Sequence, residues 1–228
     1  MTTDRYVYVA HNDGSLYKFA KGVWSHLPSR NVARVAVNAK GELWVVTKQG
    51  ELYNIDPKKP HHQMLNVQDV GIGDDGTVWV TKLGHCGKHP RTSCQARKKN
   101  RGWSHKFSAN GEIWRLKPGG KWEHIRGGAR RVAVDAQGNA WVTSSSGTIY
   151  RWAGKDWHKL ATGRASDIGA SDGKVWVIGG SDTIWNLIKG SEKWVRITGR
   201  GVNLAVDGKG LPWIAASNGT LWQNHGPR

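Results

Sequence analysis

Residues 132–152 read VAVDAQGNAWVTSSSGTIYRW. Apolar and polar side chains alternate, the chain turns at Gly138, and alternation resumes through Trp141. A second turn at Gly147 leads into Ile149, Tyr150 and Trp152. Alternation over a few residues is the mark of a short strand, and glycine in the gaps supplies the tight connections between antiparallel neighbours. The stretch therefore reads as three short strands in succession.

The same phrases return along the chain. A first-strand and second-strand phrase occurs as VAVNAKGELWVV (35–46), VGIGDDGTVWVT (70–81), VAVDAQGNAWVT (132–143), IGASDGKVWVI (168–178) and LAVDGKGLPWIA (204–215). A third-strand phrase, Gly-x-Leu/Ile-aromatic, spans 14–17, 50–53, 111–114, 147–150 and 219–222, with a variant, DTIW, at 182–185. A fourth, built around Trp, ends at Leu27, Ile125, Leu160 and Ile197, and HHQMLN (61–66) fills that slot once without Trp.

Aligning the second-strand aromatics gives Tyr8, Trp44, Trp79, Trp141, Trp176 and Trp213, with spacings of 36, 35, 62, 35 and 37. The long spacing is one repeat plus about 27 inserted residues. Four short antiparallel strands repeated at this period predict an all-β fold, a six-bladed β-propeller of four-stranded blades. Each sheet alone leaves both faces wet. Packing sheets side by side buries them, and closing the circle removes the two end faces. The chain 1–228 thus reads as a single domain with a basic loop insertion at about 83–110.

Only five first strands are found, and the last blade stops after its third strand, so the seam looks about two strands short. A small seam blade, the insertion or a neighbouring subunit of a homo-oligomer would each cover it. The first strands also alternate. Two blades begin with Asp-Val/Ile-Gly, and the others with Arg/Asn before an apolar-Ala-Val run. This alternation suggests two kinds of surface site.

Taken together and in order, these phrases resemble the tectonin family of β-propeller lectins. The resemblance rests on the period near 36, the DIG…DGxVW and VAVDxxGxxW beginnings, the GxIYRW strand and the Trp…Ile/Leu ending. It covers the chain apart from residues 83–110 and the first few. The basic insertion, the light seam and the missing fourth-strand Trp of the second blade depart from it. The resemblance implies carbohydrate binding in defence, directed at lipopolysaccharide or methylated glycans on bacterial or animal cell surfaces.

The composition suits such a site. The chain has fourteen Trp, thirty Gly and only two Phe. A sugar offers an apolar CH face and a rim of hydroxyls, so it asks for an aromatic plate beside polar groups. Most indoles of a propeller pack between blades. Those furthest from the axis, on third and fourth strands, are the candidates: Trp114, Trp122, Trp157, Trp185, Trp194 and Trp222.

Net charge is +17, and fourteen Lys/Arg against two acids lie between Lys82 and Arg131. Such a balance attracts polyanions, nucleic acid included. The insertion GHCGKHPRTSCQARKKNRGWSHKF (84–107) supplies a second candidate site, with Arg97, Lys98, Lys99 and Arg101 for phosphates and Trp103 for stacking. Cys86 and Cys94 could close a disulfide, or join His85 and His89 as metal-competent side chains, but the spacing gives only part of a zinc knuckle. No cofactor or metal is expected. Acids such as Asp74, Asp75, Asp135 and Asp172 occupy turn slots, and no nucleophile elbow, P-loop or metalloprotease helix is present, so the chain is not expected to be an enzyme. Neither a signal peptide nor an apolar run of about 20 residues is seen, which predicts a cytoplasmic or non-classically secreted protein without a transmembrane segment.

Overall fold

The computed structural model describes residues 7–28, 31–55, 61–83 and 110–224. They form six small antiparallel sheets in a ring, a six-bladed β-propeller. Blade 1 is β1 (Val7–Ala10), β2 (Leu16–Ala20) and β3 (Val23–Leu27). Blade 2 is β4 (Val32–Val37), β5 (Leu43–Thr47), β6 (Leu52–Asn54) and β7 (His61–Met64). Blade 3 is β8 (Val67–Ile72), β9 (Val78–Lys82), β10 (Gly111–Leu116) and β11 (Trp122–Ala129). Blade 4 is β12 (Arg131–Val134), β13 (Ala140–Thr143), β14 (Ile149–Trp152) and β15 (Trp157–Lys159). Blade 5 is β16 (Asp167–Ser171), β17 (Lys174–Ile178), β18 (Thr183–Leu187) and β19 (Trp194–Arg200). Blade 6 is β20 (Asn203–Val206), β21 (Pro212–Ala215) and β22 (Leu221–Gln223). Each sheet is a meander in which chain neighbours pair directly.

The repeated Asp/Asn-x-x-Gly of the first phrase is turn chemistry. Asp135 Oδ1 accepts the backbone N–H groups of Gln137 and Asn139 at 3.0 and 2.9 Å. Asp207 does the same for Lys209 and Leu211, and Asn38 for Lys40 and Glu42. The side chain thus replaces a backbone acceptor and fixes the hairpin. Gly138 closes its turn at φ 81°, and a Cβ there would stand 2.3 Å from the Asp75 carboxylate of blade 3.

Blades pack through five separate apolar cores, one at each interface from blade 1–2 to blade 5–6. Between blades 3 and 4, Val132, Val134, Ala140 and Val142 meet Trp79, Ile113 and Ile125. Burying one such aliphatic side chain stabilises the fold by about 1.5–3 kcal/mol. The second-strand indoles Trp44, Trp79, Trp141 and Trp176 lie in these cores, and two of them bond to the next blade. Trp79 Nε1 donates to Gly138 O at 3.0 Å, and Trp176 Nε1 donates to Gly210 O at 3.1 Å. Both acceptors lie in the first hairpin of the following blade. Trp141 finds no such acceptor, because the corresponding turn of blade 5 is tight, with Asp172 and Gly173 both at positive φ (49° and 67°). Trp213 finds none either, because blade 1 has no first strand among the described residues and so no first hairpin to offer.

The seam therefore lies between blades 6 and 1. Each has three strands among the described residues. Among them blade 1 has no inner strand and blade 6 no outer one. No buried core spans this interface among the described residues. Phe19 and Trp213 approach each other across it with ring centroids 5.9 Å apart. Trp24, packed on Phe19 at 4.9 Å, is 42% exposed.

Among the described residues five inner strands surround the axis. Their first-turn charges form a belt. Arg34 Nε lies 3.7 Å from Asp69 Oδ1, and Arg131 Nε lies 3.5 Å from Asp167 Oδ1. Asp69 Oδ2 accepts the Val132 N–H at 3.1 Å, and Asp167 Oδ2 accepts the Leu204 N–H at 2.9 Å. Arg34 Nη1 donates to Asn203 Oδ1 at 3.2 Å and joins the belt's two ends. The alternation of Arg/Asn and Asp blades is thus internal pairing around the axis, where the sequence suggested two kinds of surface site.

Candidate functional site

Third and fourth strands lie furthest from the axis, and each blade lays their aromatics over the blade before it. Trp114 and Trp122 of blade 3 pack on the core shared with blade 2. Tyr150 and Trp157 of blade 4 do so on blade 3, and Trp185 and Trp194 of blade 5 on blade 4. Trp222 of blade 6 covers the core shared with blade 5. All six predicted residues are half-buried, while the second-strand Trp44, Trp79, Trp141 and Trp176 are buried. Trp114 and Trp122 thus share one core, and Trp185 and Trp194 share another. Trp157 and Trp222 each pack on a core that holds none of the other five.

The indoles are held by polar contacts. Trp114 Nε1 donates to Glu112 Oε2 at 3.0 Å, and its ring meets His124 at 5.1 Å with Lys82 Nζ 5.9 Å from its centroid. Trp185 Nε1 donates to Thr183 Oγ1 at 2.9 Å. Trp157 Nε1 donates to Arg126 O of blade 3 at 2.8 Å, and its ring meets Trp79 and Trp152 at 5.8 and 5.1 Å. Trp122 and Trp194 carry buried N–H groups with no hydrogen-bond partner, and Trp122 meets Trp44 edge-on at 6.3 Å.

A glycine of the preceding blade makes room for three of these rings. A Cβ at Gly127 would lie 3.0 Å from Trp157 Nε1, one at Gly163 would lie 3.0 Å from Trp194 Nε1, and one at Gly199 would lie 2.8 Å from Trp222 Cη2. These glycines recur at the repeat period and are the signal that the sequence reading did not use. It also passed over Tyr150, which shares the third-strand phrase with Trp114, and Trp24, the exposed indole beside the seam.

Charged side chains flank the clefts. Arg115 stacks 5.2 Å from the Trp79 centroid and 5.7 Å from that of Trp152. It donates through Nη2 and Nε to Glu123 Oε2 at 2.6 and 3.0 Å, and holds that carboxyl below its ordinary range. Between blades 4 and 5, Glu192 accepts the Ala161 N–H at 3.0 Å and pairs with His158. The Ala161 N–H first, then His158, draws the Glu192 carboxyl down.

Arg97, Lys98, Lys99, Arg101, Trp103 and the two cysteines lie outside the described residues. In sequence the insertion falls between β9 and β10. Its flanking residues are fixed: Leu83 N donates to Asn66 O at 2.8 Å, and Asn110 Oδ1 accepts the Ser145 N–H at 2.6 Å. Among the described residues no three His, Cys, Asp or Glu side chains gather as metal ligands, and no helix is long and apolar enough to cross a membrane.

No protein-family model and no curated protein matches the chain. Solved structures do match in fold. A streptogramin B lyase superposes with a TM-score of 0.56 at 12% identity, over 99% of this chain and 84% of that one. A protein of unknown function from Bacteroides thetaiotaomicron gives 0.58 at 9%, over 97% and 69%. Tricorn protease gives 0.60 at 10%, over 97% of this chain and 28% of that one. Identities this low establish the architecture alone: the chain is a six-bladed β-propeller. None of these neighbours is a tectonin.

Proposed function

We propose that this propeller is a lectin that binds glycans of bacterial or animal cell surfaces through the clefts between its blades. The observation that carries the reading is the recurrence of half-buried aromatics on third and fourth strands, each laid over the preceding blade and flanked by polar or charged side chains. The face of an indole packs on the CH face of a pyranose, and nearby Glu, His, Thr and Arg side chains address its hydroxyls. A methyl ether adds apolar surface that such a cleft accepts. The sequence resemblance to tectonins points to methylated glycans or lipopolysaccharide and to a role in defence. Recognition of this kind needs no catalysis. Weak sites copied around one ring gain strength on a polyvalent surface through avidity.

A glycan array containing O-methylated sugars and lipopolysaccharide tests the reading. Binding that falls in variants of Trp157, Trp185 or Trp194 is the expected result. The absence of any glycan binding at millimolar ligand would overturn it. The net charge of +17 favours a second reading, a polyanion-binding propeller that uses the basic insertion. Affinity for nucleic acid that falls steeply with salt, and disappears on deletion of residues 84–109, is its signature.

A further inference from the structure

Trp79, Trp152 and Trp157 meet at the interface of blades 3 and 4, with ring centroids 5.1, 5.5 and 5.8 Å apart. The seam repeats that arrangement. Trp213 holds the place of Trp79, and Phe19 and Trp24, opposite each other on β2 and β3, hold those of Trp152 and Trp157 on β14 and β15. Phe19 stands 4.9 Å from Trp24 and 5.9 Å from Trp213. One feature differs. Trp157 lies against the outer strand of blade 3, donating Nε1 to Arg126 O at 2.8 Å beside Gly127. Trp24 meets no such strand, because blade 6 has no outer strand among the described residues, and it is 42% exposed. Val23 beside it is exposed as well, where blades 3, 4 and 5 carry the charged Lys121, Asp156 and Lys193.

The side of the gap formed by blade 5 shows the same relationship in reverse. Ile125 and Gly127 of β11 recur as Ile197 and Gly199 of β19, so Thr198 stands where Arg126 receives an indole N–H. Gly127 and Gly163 each face a fourth-strand indole of the next blade, Trp157 and Trp194. Gly199 instead faces the ring edge of the third-strand Trp222. A cavity of about 480 Å³ lies here, lined by Arg196, Ile197, Thr198, Gly199 and Arg200. Between the two sides runs β22. Asn224 N donates to Pro212 O at 3.1 Å, so Trp222 and Asn224 turn their backbone groups to β21. Leu221 and Gln223 therefore turn theirs to the side on which no described strand pairs. In blade 4 the equivalent Ile149 O accepts the Leu160 N–H at 3.0 Å.

We propose that the seam docks an extended, acidic segment of another protein, which pairs with β22 as the outer strand of blade 6. The repeat dictates the segment's pattern: Trp, then Ile or Leu three residues on, then Gly two or three residues further, as in Trp122, Ile125 and Gly127 or Trp157, Leu160 and Gly163. The Trp enters the cavity beside Gly199, the Ile or Leu covers the interface, and the Gly lies against Trp24. Main-chain bonds to an open sheet edge supply affinity, and alternate side chains supply specificity. Acidic residues at the remaining positions meet Arg196 and Arg200, which belong to no ion pair among the described residues. Charge also disfavours a second copy as the occupant, since two chains of net charge +17 repel. The site does not depend on sugar binding by the clefts.

Fluorescence anisotropy of a labelled, end-capped peptide, EWEEIEGGA, titrated with the full chain tests the proposal. The peptide is residues 121–129 with Lys121, His124 and Arg126 replaced by Glu. Saturable one-to-one binding is expected. Replacing its Trp by Ala, or its first Gly by Val, should weaken binding by about tenfold or more, and so should Trp24→Ala in the protein. Leu65→Ala, which removes an exposed apolar side chain between blades 2 and 3, should leave it unchanged. In wild type, deuterium exchange at the Leu221 and Gln223 amides should slow when the peptide binds, a reading independent of how any variant folds. No saturable binding at millimolar concentration, an unchanged affinity in Trp24→Ala, equal affinity for the unaltered 121–129 peptide, or no added protection of β22 would overturn the proposal. So would a chain that sediments as a dimer with those two amides already protected, which would assign the edge to a second copy.

Discussion

Arg34 Nη1 donates to Asn203 Oδ1 at 3.2 Å, although 169 positions separate the two residues. The bond joins blade 2 to blade 6 and passes over blade 1, which has no inner strand among the described residues. It replaces the strand-to-strand contact that a sixth inner strand would make. The axis is thus closed here by a side-chain contact between blades 2 and 6.

Asn203→Ala removes the acceptor from a guanidinium that is three-quarters buried, with Arg34 27% exposed. A hydrogen bond to a charged partner contributes about 1.5–3 kcal/mol, and a loss of that size is expected in urea unfolding. Asn203→Asp keeps the acceptor and adds a charge opposite Arg34, so it should hold or raise stability. If Asn203→Ala unfolds at the wild-type midpoint, the ring is closed by something else.

The belt also gives the acid response a sign. Burial pushes the Asp69 carboxyl above its ordinary value, and Arg131 and Arg34 oppose that push. Asp69 therefore holds its proton more tightly folded than unfolded. Its contribution is fully present below the unfolded value near 3.8 and is lost as pH rises through the folded one. Asp13 does the reverse. The Ser15 backbone N–H, then His11, draws it down to about 2, so its contribution is present above 3.8 and fades as pH falls through about 2. The stability of Asp69→Asn minus that of wild type should rise as pH is raised above about 4. A difference that falls over this window would contradict the assignment.

The seam should be the first part of the ring to open. Five interfaces have buried cores, while blades 6 and 1 meet through Phe19 and Trp213 at 5.9 Å. Local opening follows the density of buried apolar contact. Amides of β21 should exchange with deuterium at least about tenfold faster than those of β13 and β17, their counterparts in complete blades. Uniform protection around the ring would show that residues outside those described seal the seam.

The blade count, the seam and the outward half-burial of the candidate indoles were legible because each follows from strand order. Alternation fixes which residues enter an interface, and period fixes how many interfaces exist. The Arg34–Asp69–Arg131–Asp167–Asn203 belt was visible only as an alternation. A repeat shows that two positions differ, but one-dimensional spacing cannot say whether they face solvent or each other around an axis. The glycines opposite Trp157, Trp194 and Trp222 were missed because their function is to lack a side chain facing a ring in the next blade.

Those glycines offer a way to move an aromatic plate without removing it. Gly199 sits at φ 115°, a region that L side chains rarely adopt, and a Cβ there would lie 2.8 Å from Trp222 Cη2 and 2.9 Å from Cζ2. Gly199→Ala must therefore strain the backbone and displace the indole, at a cost of about 1–3 kcal/mol. Gly219 is the control. It has φ 85°, but its Cβ would meet nothing within 4 Å, so Gly219→Ala carries the backbone strain without the collision. If the cleft between blades 5 and 6 binds sugar, Gly199→Ala should lose that site while Gly219→Ala retains it. Binding to a monovalent glycan would report the loss directly, whereas binding to a glycan-coated surface would fall further because avidity multiplies the loss of one site. Equal glycan binding by both variants, with the Trp222 indole N–H signal shifted only in Gly199→Ala, would remove this cleft from the set of sugar sites.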